Sequence, residues 1–132
     1  MSLWVKTNRF VKTIFPKYIW DIPNEDRKIY LTFDDGPIPE ITEWTLAQLK
    51  KHNAKATFFC IGDNIQKHPE VFQKIIAENH AIGNHTFNHL KGWLTSLEDY
   101  IENTQKCSET INNYQLSRNF GTDLEKVFTF AP

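Results

Sequence analysis

From Lys28 onward, short apolar runs alternate with longer segments whose apolar residues recur every three or four positions. This alternation leaves the chain few folds to choose from. Residues 28–33 are rich in β-branched and aromatic side chains, and the turn signal Asp35-Gly36-Pro37 closes them. Residues 40–51 carry Ile41, Trp44, Leu46 and Leu49 at helical spacing. A second strand is expected over 54–61, stopped by Gly62. Pro69 then opens a helix with Val71, Phe72, Ile75 and Ile76 on one stripe. Residues 81–84 give a brief third strand. Ser96 is placed to cap a third helix running through Tyr100 and Ile101 to about Asn112, with Glu98 and Asp99 in its first turn. Residues 127–130 form an expected fourth strand. Three strand–helix units in succession require parallel pairing with right-handed crossovers. In parallel sheets, open or closed into barrels, chemistry gathers where strands end.

With 132 residues, the chain has room for one domain, which the pattern places over 28–132 behind an N-terminal extension, 1–27. Leu, Ile, Val and Phe supply 36 residues, enough to build a core. A net charge of −1 provides no positive field for nucleic acid. No apolar run approaches the ~20 residues of a membrane span, and no secretory signal is visible, which makes the cytoplasm the default expectation. Trp4, Val11, Phe15 and Tyr18, among lysines, could describe a membrane-surface helix. Pro16 interrupts that pattern, and the expectation is that the segment packs its apolar side across the domain. Cys60 and Cys107 lack CxxC spacing, and Cys60 lies in an apolar run as a buried, reduced thiol.

Two features fall at strand ends. Asp34-Asp35 closes the first strand, and His85-Thr86-Phe87-Asn88-His89 follows the third. Histidines four apart share one face of a helical turn, so both rings can reach one cation. A carboxylate from a neighbouring strand end completes a three-ligand set suited to Zn²⁺, with other first-row divalent ions such as Co²⁺ or Mn²⁺ able to replace it. Three protein ligands leave a position open, which marks catalytic rather than structural sites. The second carboxylate is then free as a general base. A metalloprotease HExxH is excluded because position 86 is Thr. Asn84-His85-Thr86 fits a glycosylation sequon, coincidentally if this loop binds metal. His52, His68 and His80 sit at helix ends or before a strand, away from this site.

Thr32-Phe33-Asp34-Asp35-Gly36-Pro37 and His85-Thr86-Phe87-Asn88-His89 resemble the first two motifs of the NodB-type polysaccharide deacetylases, carbohydrate esterase family 4. Ala56-Thr57-Phe58-Phe59 and Gly83-Asn84-His85-Thr86 are similar to the same family around its second and third strands. The resemblance implies the N-terminal part of a distorted (β/α) barrel and metal-dependent removal of acetyl groups from N-acetylated sugars in a polymer. By matching positions, Asp34 would be the catalytic base, Asp35, His85 and His89 the metal ligands, and Thr86 a support for the histidine loop. The base would draw a proton from the attacking water, with the metal activating that water and stabilising the oxyanion.

Phe130-Ala131-Pro132 falls where the family's third motif begins with Arg-Pro, so Ala131 stands at the Arg position. The family's later motifs, including a histidine general acid, fall beyond Pro132. The expectation is therefore a deacetylase domain in part, with two open strand edges that invite self-association. A metal- or glycan-binding module without turnover and an O-acetyl esterase are the alternatives.

Overall fold

The computed structural model describes residues 7–21 and 28–116. The expected fourth strand, 127–130, and Ala131 lie outside the described residues. Three parallel strands, β1 (Leu31–Gly36), β2 (Ala56–Cys60) and β3 (Ala81–Asn84), pair in the order β1-β2-β3. Helix α2 (Ile41–Lys51) links β1 to β2, and α3 (Gly62–Lys67) with α4 (Pro69–Ala77) links β2 to β3. After β3 come a single 3₁₀ turn, Gly92–Leu94, and the long α5 (Leu97–Leu116). A short α1 (Arg9–Ile14) precedes the sheet.

Strand β2 is the axis of the fold. It pairs on both sides, Phe58 facing Phe33 on β1 and Ile82 on β3. Its buried residues alternate, Ala56, Phe58 and Cys60, as period-2 geometry requires. They meet Leu46 and Leu49 of α2, Ile65 of α3, Phe72 and Ile75 of α4, and Cys107 and Ile111 of α5 in one cluster. Phe33 stacks on Phe58 at 5.2 Å, and Phe59 lies across β3 where Gly83 has no side chain. A Cβ on Gly83 would come within 2.2 Å of that ring.

The helix-to-strand connections are built alike. After α2, Asn53 takes a left-handed φ of 48°, its N–H donates to the Lys50 carbonyl, and Ala54 N–H donates to the Leu49 carbonyl. After α4, Asn79 (φ 57°) donates to Ile76, and His80 N–H donates to Ile75. Both are Schellman motifs, with Asn supplying the left-handed residue. They satisfy the last carbonyls and aim the chain into the next strand. At the start of the helix after β3, Ser96 Oγ accepts from Asp99 N–H at 3.1 Å, the expected cap of α5.

Three expectations are corrected. Residues 62–67 form a helix, α3, where Gly62 predicts only the end of a strand. Helix α5 continues four residues past Asn112. Among the described residues 7–21, the N-terminal segment leaves its apolar side open instead of packing it across the domain: α1 stops after six residues, just before Pro16, too short for an apolar face. Phe10, Tyr18 and Ile19 are exposed. Phe15, Tyr18 and Trp20 instead meet edge-on, with Trp20 Nε1 donating to the Phe15 carbonyl.

Candidate metal centre

At the C-terminal edge of the sheet, β1 departs from regular pairing. Phe33 faces Phe58 and Gly36 faces Cys60, so Asp34 and Asp35 together oppose the single residue Phe59. This is a β-bulge, and Asp35 within it has φ 66°. A bulge re-aims side chains that strict alternation would send to opposite faces. Asn64 on α3 donates its side-chain amide to the Asp35 carbonyl at 2.9 Å, and Ile61 N–H donates to the Gly36 carbonyl.

The histidine loop leaves β3 on the other side of β2. It is not the helical turn expected from HxxxH spacing. Thr86 (φ 61°) and His89 (φ 58°) both adopt left-handed backbone, so the rings converge around a loop rather than along a helix face. Non-glycine residues in this region cost roughly 1–3 kcal/mol each and persist only where surroundings hold them. Here they are held. His85 N–H donates to the Cys60 carbonyl, Gly62 N–H to the Thr86 carbonyl, and Asp63 N–H to the Phe87 carbonyl. Thr86 is buried, and its Oγ1 accepts from Leu90 N–H, closing the loop from inside. Gly62 permits the fit, since a Cβ there would lie 2.6 Å from the Phe87 ring.

The result brings three of the expected residues together. Asp35 Oδ1 lies 3.2 Å from His85 Nε2 and 3.3 Å from His89 Nε2, and the two rings sit 5.0 Å apart. One donor atom from each residue falls within 4.8 Å of the others. Two ligands bonded at about 2.0–2.1 Å to one ion at tetrahedral angles stand about 3.3–3.4 Å apart. The carboxylate–imidazole separations match that spacing, and two imidazoles with one carboxylate are a borderline donor set suited to divalent zinc, cobalt or manganese. Asp34, exposed, is next in the chain but outside this trio.

Around the loop stand Asn84, which the sequence marks only as a sequon, and residues of α5 that no motif marks. Asn84 Oδ1 accepts from Thr86 N–H, while its Nδ2 donates to the Thr104 carbonyl and Ser108 Oγ. Asn84 is buried and fully engaged, so the sequon offers no acceptor side chain to solvent. Asn103 Oδ1 accepts from Phe87 N–H at 2.7 Å and Asn88 N–H at 3.4 Å. The signal for this second layer was present as Asn103, Thr104, Cys107 and Ser108 at helical spacing.

Cys60 and Cys107 are free and buried beneath the loop. Burial pushes the Cys60 thiol far above its ordinary range and the Cys107 thiol up to about 11. Both stay protonated at neutral pH, and neither joins the Asp35, His85 and His89 cluster.

The polysaccharide deacetylase family pattern matches residues 21–120. A peptidoglycan-N-acetylglucosamine deacetylase of Bacillus cereus is 43% identical over 84 residues, 64% of this chain and 39% of that protein. A chitooligosaccharide deacetylase of Rhizobium leguminosarum bv. trifolii is 43% identical over 77 residues, 54% of this chain and 36% of that protein. The solved Bc1960 peptidoglycan N-acetylglucosamine deacetylase superposes with TM-score 0.68 at 40% identity, covering 70% of this chain and 43% of that one. The chain spans well under half the length of these relatives.

Proposed function

The chain belongs to the polysaccharide deacetylase family, the NodB-type enzymes of carbohydrate esterase family 4, and from that premise we propose that it forms part of the catalytic domain of a metal-dependent hydrolase. The bond cleaved is the amide of N-acetylated sugar residues in a polymer. Peptidoglycan and chitin-like chains are the favoured substrates, because the similar proteins above are named for peptidoglycan N-acetylglucosamine and chitooligosaccharides. We read 28–132 as belonging to that domain and 1–27 as an extension. The (β/α) barrel of the family accounts for the parallel order β1-β2-β3 and for a site at the strands' C-terminal ends.

The observation that carries the reading is the meeting of Asp35, His85 and His89 at ligand spacing, with the exposed Asp34 next to Asp35 in the chain and outside the trio. Asp35, His85 and His89 would hold a divalent ion, zinc by preference, which when bound supplies Lewis acidity toward water and the amide oxygen. Asp34 is the general base: its carboxylate takes a proton from the water that attacks the acetyl carbon. The C–N bond then breaks as the amide nitrogen takes up a proton, giving acetate and a free amine on the sugar. Thr86 keeps both histidines in register through its bond from Leu90.

The test is acetate release from N-acetylated chitooligosaccharides and from peptidoglycan by the protein that carries this chain. Asp34→Asn should lower turnover by 10²-fold or more, in the range of general-base loss. Bound metal without acetate release from either polymer would point to a binding module. Release from O-acetylated but not N-acetylated polymer would point to an esterase.

A further inference from the structure

We propose that Asn103 on α5 is a positioning residue for the two histidines, an inference that rests on the reading that Asp35, His85 and His89 hold a divalent ion. The backbone donors of the histidine loop can be followed one by one. His85 N–H goes to the Cys60 carbonyl, Thr86 N–H to Asn84 Oδ1, and Leu90 N–H to Thr86 Oγ1. Those acceptors belong to the strands or to the loop itself. Phe87 and Asn88, which lie between the two left-handed residues Thr86 and His89, both donate to Asn103 Oδ1, at 2.7 and 3.4 Å. Asn103 Nδ2 in turn donates to Asn88 Oδ1 at 2.6 Å.

One side chain on a separate helix therefore takes both N–H groups at the middle of the loop, whose Thr86 and Phe87 carbonyls are held by Gly62 and Asp63 N–H. The same face of α5 backs it. Lys106 Nζ lies 3.8 Å from the centre of the Phe87 ring, and Thr104 and Ser108 hold Asn84 at the loop's start. Without the Asn103 acceptor, the half-buried Phe87 N–H and the exposed Asn88 N–H lose their partner, and α5 no longer hydrogen-bonds the backbone that separates the histidines. The loop can then relax out of its left-handed conformation, and His89, its last member, moves away from Asp35. Asn103 stands outside the Asp35, His85 and His89 cluster and bonds to the loop between the histidines, so its effect is on ligand geometry.

The experiment titrates Co²⁺ into the metal-free protein that carries this chain, comparing wild type, Asn103→Ala and Asn103→Asp. The readouts are affinity by chelator competition and the cobalt visible absorption spectrum, with circular dichroism of the metal-free forms. Asn103→Ala should keep its fold and lose about 10–100-fold in affinity, with a changed spectrum, as for other groups that orient ligands. Asn103→Asp keeps an acceptor for both N–H groups and loses the donor to Asn88 Oδ1, which the Asn88 amide replaces by turning its own NH₂ toward the carboxylate, so most of the affinity and the wild-type spectrum should be restored. Equal affinity and spectrum in wild type and Asn103→Ala would overturn the proposal while leaving the metal reading intact. So would a loss in Asn103→Asp as large as in Asn103→Ala. Should Asn103→Ala not fold, Asn103→Asp decides: wild-type affinity supports the role, and a tenfold loss overturns it. A wild type that binds no Co²⁺ sinks the metal reading itself.

Discussion

Asn64 on α3 donates its side-chain amide to the backbone carbonyl of Asp35 at 2.9 Å, tying the bulge of β1 to the helix that follows β2. The bond fixes a residue whose φ of 66° is unfavourable for aspartate, and it fixes the backbone rather than the carboxylate. Asn64→Ala should therefore cost about 1 kcal/mol of stability, the usual worth of one such bond. It should also weaken metal affinity while leaving Asp35 in place. Thermal melts and metal titration of the variant check both. Unchanged affinity would show that the bulge holds its shape without α3.

The opposite end of the sheet predicts a pH dependence. His80 is only 8% exposed, packs edge-on against Phe58, and accepts from Ala56 N–H through Nδ1 at 3.3 Å, while Nε2 has no partner among the described residues. Burial lowers its pKa, the nearby Lys55 adds to that, and Glu78 opposes it. A proton on Nδ1 would also face the Ala56 donor. The folded state thus favours neutral His80, so its contribution is complete above the unfolded value near 6.5 and is lost as pH falls below it. The slope should approach about 1.4 kcal/mol per pH unit at most. His80→Asn, which keeps an acceptor near Nδ1 and does not titrate, should flatten stability between pH 7 and 5. An unchanged slope would assign that dependence to other groups.

Strand β1 predicts association. It pairs on one side only among the described residues, and Ile29, Tyr30, Leu31, Ile41 and Trp44 around it are exposed, Ile29 by 84% and Trp44 by 66%. An edge strand with apolar neighbours templates pairing with another chain. A polypeptide of these 132 residues should therefore self-associate in light scattering, and Leu31→Lys should reduce it. A monodisperse monomer at high concentration would contradict this.

How far the sequence announced the fold depended on the range of the signal. The three strands and the helices over 41–51, 69–77 and 97–116 follow from local apolar period, Pro69 and the Ser96 cap, each a short-range signal. Helix α3 was hidden because Gly62-Asp63-Asn64-Ile65-Gln66-Lys67 offers a single apolar residue, Ile65, and is fixed by tertiary bonds such as Gly62 N–H to the Thr86 carbonyl. The two histidines and a strand-end carboxylate were legible from spacing and strand ends, the choice of Asp35 over Asp34 came from the family resemblance, and the geometry of the trio was legible from neither. The bulge at Asp34-Asp35 and the left-handed Thr86 and His89 are imposed by Asn64, Asn84 and Asn103, which lie 15 to 29 residues from the backbone groups they hold or, for Asn84, join the loop to α5. No local pattern encodes such pairings.

The most direct test of the account separates the two adjacent carboxylates. Metal content and acetate release are measured together on the protein carrying this chain, for wild type, Asp34→Asn, Asp35→Asn and His89→Ala. The account predicts about one divalent ion per wild-type chain. Asp34→Asn should retain that ion and lose turnover, whereas Asp35→Asn and His89→Ala should lose affinity by at least 10-fold. Equal metal content in all four proteins, or loss of the ion in Asp34→Asn with retention in Asp35→Asn, would contradict it.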